Sequence, residues 1–139
     1  MRSDTYKGVI SLKNLLIIGL TVLFLVPVVV NADENNKIAV ASLGENADAP
    51  VSSQGARCSY YIIFDGTGTL IEVVDNPYKN TSGGAGPSAA SFLARKNVTV
   101  LIAGNFGPKM IHSLRNNKIT HLQFKGTVGD ALKKALEGR

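Results

Sequence analysis

The stretch Val98 to Asn117, VTVLIAGNFGPKMIHSLRNN, constrains the fold of this chain more than any other. Val98, Val100, Leu101, Ile102 and Ala103 form a β-favouring run broken only by Thr99. That is the pattern of a central parallel strand covered on both faces. Gly104-Asn105-Phe106-Gly107 interrupts the run, and Pro108 suits the first turn of a helix, where a missing N–H costs nothing. Met110, Ile111 and Leu114 follow at helical spacing. A strand, a tight turn and a helix N-terminus bring backbone N–H donors to the carboxyl edge of a sheet, where open α/β folds bind ligands. A site is expected at this turn.

The rest of the chain supplies partners for that strand. Lys37 to Ser42 reads as a first buried strand, and Leu43 to Ala56 as a loop. Ser59–Asp65 and Thr69–Asp75 flank Gly66-Thr67-Gly68, a β-hairpin pattern. Asn76 to Ser82 is a turn-rich connection. Gly84 to Lys96 reads as a helix with Ala85, Ala89, Phe92 and Leu93 on one stripe, and Asn97 suits its C-terminal cap. Ile119 to Phe124 alternates like a half-buried edge strand, and Thr127 suits the N-cap of a last helix, Val128 to Leu136. This order predicts one α/β domain over residues 37–137. Its mixed five-stranded sheet has three parallel strands joined by right-handed crossovers, an antiparallel hairpin strand and about three helices.

Ahead of this domain, Leu15 to Val30 is a run of 16 uncharged residues preceded by Arg2, Lys7 and Lys13. Val30-Asn31-Ala32 places short residues at −3 and −1 of a cleavage after Ala32. A charged start, an apolar middle and a small-residue site form an export signal over residues 1–32, cleaved or retained as a signal-anchor. The run is short for a membrane span of roughly 20 residues. Asp33 to Asn36 reads as a linker. The expected location is extracytoplasmic, with membrane contact only through residues 15–30 if they are kept.

Charge and composition exclude several functions. The net charge is +5, and the segment before Leu15 carries three basic residues and one acid, so the remainder is only mildly basic. No Lys/Arg cluster marks a nucleic-acid surface. Two-metal phosphoryl chemistry needs clustered carboxylates, and KIAVAS and the last two strands contain none. No G-x-S-x-G occurs, so a nucleophile elbow is absent. A single cysteine permits no intrachain disulfide.

KIAVAS, RCSYYIIFD, DNPY followed by GGAGPSAASFLARKNV, AGNFGPKMIHSL and KGTVGDALKKAL together resemble the dinitrogenase iron-molybdenum cofactor biosynthesis family, from about Lys37 to Leu136. The resemblance implies a ribonuclease-H-like sheet. It also implies non-enzymatic binding or transfer of an iron–molybdenum or molybdenum–copper sulfur cluster, with a partner protein to receive it. At Gln54 and Ala56 the chain departs from the family's Phe-Gly-Arg element. The alternative is a metal-free structural or sensory interaction module with the same fold.

The candidate site residues follow from the loops. Gly104, Asn105, Phe106, Gly107 and Lys109 offer N–H groups, an amide and a cation to an anionic cluster. Gly84 and Gly86 open a helix and either cradle an anion or permit close helix packing. Ser42 ends the first strand at the same edge. Cys58 is a possible thiolate ligand for a soft metal or a small buried residue. His121 and His112, nine residues apart without a chelating spacing, are further metal-ligand candidates.

Overall fold

A computed structural model describes residues 35–138; the export segment and the start of the linker lie outside the described residues. The elements run β1 (Lys37–Ser42), β2 (Tyr60–Phe64), β3 (Leu70–Asp75), α1 (Ala85–Arg95), β4 (Val98–Ala103), α2 (Pro108–Asn116), β5 (Thr120–Gln123) and α3 (Val128–Glu137). Each lies where the hydrophobic periodicity places it, to within a residue or two at the ends. No helix among the described residues is long and apolar enough to cross a membrane.

The strands lie in the order β3-β2-β1-β4-β5. β4 is parallel to both β1 and β5, while β2 is antiparallel to β1 and β3. This is the expected ribonuclease-H-like mixed sheet with three helices. The strand at its middle is β1, buried from Ile38 through Ser42. β4 lies one place off centre, with Thr99 and Val100 half-buried, and the short β5 pairs with it from Val100 onward.

Alternation along the strands divides the core in two. Ala39, Ala41, Tyr61, Ile63, Leu101 and Ala103 pack with Ala89, Ala90 and Leu93 of α1 and Met110 and Leu114 of α2. On the other face Ile38, Val40, Ile62, Phe64 and Ile102 meet Val128, Ala131 and Ala135 of α3. Two helices therefore share one face and the third covers the other. Because β3, β4 and β5 all run in one direction, the helices that follow them all begin at the same edge of the sheet.

The ends of these helices are set by local chemistry. Asn97 takes φ 63° just past α1, the left-handed conformation that asparagine tolerates, and its N–H donates to Ala94 O at 3.0 Å. Thr127 caps α3: its Oγ1 accepts from Asp130 N at 3.2 Å. Val128 N and Gly129 N donate to Ala49 O and Ala47 O at 3.0 and 2.9 Å. The N-terminus of α3 is thus closed by its own cap and by the loop after β1. Thr127→Ala is expected to cost about 1 kcal/mol in chemical denaturation; no change would show that the loop carbonyls suffice.

Candidate functional site

The loop between β1 and β2 builds the edge where a site is expected. Ser52 N donates to Ala41 O at 2.8 Å, Gly104 N donates to Ser52 O at 2.8 Å, and Gly55 N donates to Asn105 O at 3.0 Å. These bonds stitch residues 52–55 across the carboxyl ends of β1 and β4. Gly104 permits this approach, since a Cβ there would lie 2.9 Å from Ser53 Cα. The loop thereby brings Ala56 and Arg57 beside the start of α2.

A groove of about 390 Å³ opens between Ala56-Arg57, Gly84–Pro87 at the start of α1 and Gly107–Met110 at the start of α2. The two helices meet through Gly86, whose Cβ, if present, would lie 3.1 Å from Met110 N and Met110 Cα. Neither the N-cap Gly84 nor the N-cap Gly107 has a side-chain cap, and neither first turn holds an acidic residue. First-turn N–H groups have no acceptor within their own helix, and both helix dipoles place positive charge here. Arg57 and Lys109 add two cations, and no carboxylate lines the groove. The groove thus combines a mostly apolar lining with positive charge at its rim.

The same edge continues past Asn105. One cavity of about 430 Å³ lies between residues 53–57 and 105–108. Another, of about 690 Å³, reaches Gln123 at the end of β5 and Lys125 and Gly126 beyond it. Asn105 lines both; its Oδ1 accepts from Phe106 N at 2.8 Å and from Gln123 Nε2 at 3.2 Å, which ties the turn to the end of β5.

Of the residues expected from the sequence, Gly84, Gly86, Gly107 and Lys109 come together in the first groove, and Gly104 and Asn105 in the adjoining one. Phe106 is buried and faces His121 edge-on at 5.2 Å between ring centres, so it packs more than it presents. Ser42 is fully buried, its Oγ spent on Gly44 O at 2.7 Å and Gly44 N at 3.1 Å. Its place is behind the edge, making a turn. His112 is exposed on α2 and pairs with Asn116 at 3.2 Å. No cluster of three or more His, Cys, Asp or Glu suited to a metal ion occurs among the described residues.

Cys58 is a free thiol with no exposed surface, in the core beneath the loop. Burial pushes it from its ordinary 9.0 up to about 11, against weaker opposing hydrogen bonds. It stays protonated at neutral pH, in the arrangement of a small core residue. A folded pKa above the unfolded one contributes stability that is whole below pH 9 and is lost as pH rises towards 11. Unfolding titrations should therefore show up to roughly 3 kcal/mol lost across that window, and Cys58→Ala should remove part of the slope. A thiol that reacts with Ellman's reagent in the native protein as fast as in denaturant would contradict this burial.

Arg57 lines the groove although it is not among the candidates drawn from the sequence. Nothing local shows that it joins Lys109, 52 positions on. Gln123 and Lys125 went unremarked because β5 read as a plain edge strand.

Residues 36–138 match the family model described as dinitrogenase iron-molybdenum cofactor. The chain belongs to that family. Among solved structures, this family member is similar to the apo form of the orange protein from Desulfovibrio gigas, with 33% identity and a TM-score of 0.69 over 73% of this chain and 88% of that one. It is also similar to a NifB-like protein from Thermotoga, with 34% identity and a TM-score of 0.64 over 74% and 89% of the two chains. A dinitrogenase-like protein from Methanocaldococcus jannaschii shares the fold at 16% identity and a TM-score of 0.51, over 73% of this chain and 88% of that one. No curated protein matches the chain.

Proposed function

We propose that this domain binds an anionic metal–sulfur cluster, of iron–molybdenum or molybdenum–copper type, as cargo and passes it to a partner protein without turning it over. The observation that carries the reading is the convergence of two uncapped helix N-termini with Arg57 and Lys109 in a groove free of carboxylates. Family membership supports cofactor cargo in particular. Hydrogen bonds and charge hold the cluster in this reading, since the one thiol is buried. Such a mode suits a carrier: a cargo held by many weak donors is released when a partner supplies stronger ligands, with no protein–metal bond to break.

The test is anaerobic reconstitution of the purified protein with thiomolybdate, iron and copper, followed by metal analysis and a visible spectrum. Stoichiometric metal with a charge-transfer band is expected. A colourless, metal-free protein would overturn the carrier reading and favour a metal-free interaction module. We propose also that the chain is exported through residues 1–32, so the intact mass of the native protein is expected to begin at Asp33. Retention of Met1 with the protein in the soluble cytoplasmic fraction would rule export out.

A further inference from the structure

Arg57 is exposed and long, yet its guanidinium is not free to wander. Its Nη1 donates to Thr81 O at 2.8 Å and Lys79 O at 3.2 Å, tying it to the connection before α1. That connection is anchored from inside by Asn76, which is 2% exposed. Asn76 Nδ2 donates to Ala56 O at 2.8 Å and Cys58 O at 3.0 Å, the carbonyls on either side of Arg57. Asn76 Oδ1 accepts from Tyr78 N at 3.0 Å, and Thr81 Oγ1 donates to Tyr78 O at 2.8 Å. Segments 56–58 and 76–81 are thus laced in both directions, by a buried amide beneath and a guanidinium above. With Nη1 spent on carbonyls, the guanidinium keeps its Nε and Nη2 donors, and Arg57 lines the groove.

We infer that Asn76 is a positioning residue for cargo binding: its buried amide fixes the backbone around Arg57 so that the remaining guanidinium donors face the groove. This rests on the cargo reading above. An aspartate in its place has no amide N–H to give the two carbonyls, and an alanine leaves both unpaired. Either change frees the Arg57 backbone without touching the groove itself. A preorganised guanidinium loses less freedom per hydrogen bond formed, so the loss appears in affinity for the anion.

The probe is the tetrathiomolybdate dianion, titrated anaerobically and followed by its visible absorption. Four proteins are compared: wild type, Arg57→Ala, Asn76→Ala and the double variant. Arg57→Ala is expected to weaken binding roughly 10–100-fold, the worth of a charge-assisted contact. Asn76→Ala should weaken it roughly 3–10-fold, and the double variant should bind no more weakly than Arg57→Ala alone. A merely structural Asn76 would lower stability equally in both backgrounds and add its effect to that of Arg57; additivity in folded protein overturns the inference. Should Asn76→Ala not fold, Thr81→Val loosens the same lacing at its surface end. It is expected to weaken binding roughly 2–5-fold with the same non-additivity. A readout without the probe is rotation about the Arg57 Nε–Cζ bond by NMR, expected to be slow in wild type and fast in Asn76→Ala. Equal rates would sink the positioning role. If wild type binds no tetrathiomolybdate, the cargo reading fails, and the rotation rates still decide whether Asn76 orders Arg57.

Discussion

Reversing both groove charges, Arg57→Glu with Lys109→Glu, is expected to weaken binding of an anionic cluster by at least a hundredfold while the protein stays folded. Each charge-assisted contact to an anion accounts for roughly tenfold or more in affinity. Reversal also adds repulsion at a site where the two helix dipoles otherwise favour negative charge. Both side chains are exposed and belong to neither core cluster. The cost to the fold is confined to the Arg57 bonds to Lys79 O and Thr81 O. The control is Lys118→Glu with Lys133→Glu, the same change in net charge at exposed positions that do not line the groove. If the control lowers loading as much, the cargo is drawn by net charge and the groove is not its site. Because the cations face solvent, wild-type affinity should also fall with added salt.

Gly86→Ala is expected to destabilise the protein, against the usual preference of a helix for alanine over glycine. In the interior of an exposed helix, glycine to alanine stabilises by roughly 0.5–1 kcal/mol. At Gly86 the new Cβ would lie 2.9 Å from Met110 Cβ and 3.1 Å from the Met110 backbone. Backbone of a packed helix does not yield as a flexible side-chain end does, so α1 and α2 must separate. Overpacking of this kind typically costs 1–3 kcal/mol. For a domain of this size that corresponds to a fall in Tm of roughly 4–20 °C. The same separation widens the groove, so cargo affinity should drop along with Tm. A variant as stable as wild type would show that the helices have slack at this contact, and would return Gly86 to a simple helix-propensity position.

The two variants probe different causes. Charge reversal leaves the walls in place and removes the attraction. Gly86→Ala keeps every charge and moves a wall. Loss of loading with normal Tm in the first, and loss of both in the second, is the pattern that an electrostatic groove between two helices requires.

Strand-period alternation in KIAVAS and VTVLIA, the glycine-bearing hairpin between Phe64 and Leu70, the stripe of Ala85, Ala89 and Leu93, and Thr127 as a cap were all readable from the chain, because each depends on residues within a turn or two of one another. The Gly104–Lys109 turn was readable for the same reason: strand, glycine, proline and helix follow in sequence, and they place a helix N-terminus at a sheet edge wherever that sheet forms. What tertiary structure decided is which loops meet there. Arg57 reaches the start of α2 only because Ser52 inserts between the ends of β1 and β4. Gly84 and Gly86 join Gly107 and Lys109 only because α1 and α2 lie on the same face of the sheet. Cys58, by its sequence either a ligand or a small buried residue, lies in the core of the fold, since the Gly55 loop and Asn76 close over it. Periodicity records how one segment divides between core and solvent. The company a residue keeps across 20 to 60 positions is set by strand order and by hydrogen bonds between segments, and no local pattern carries that information.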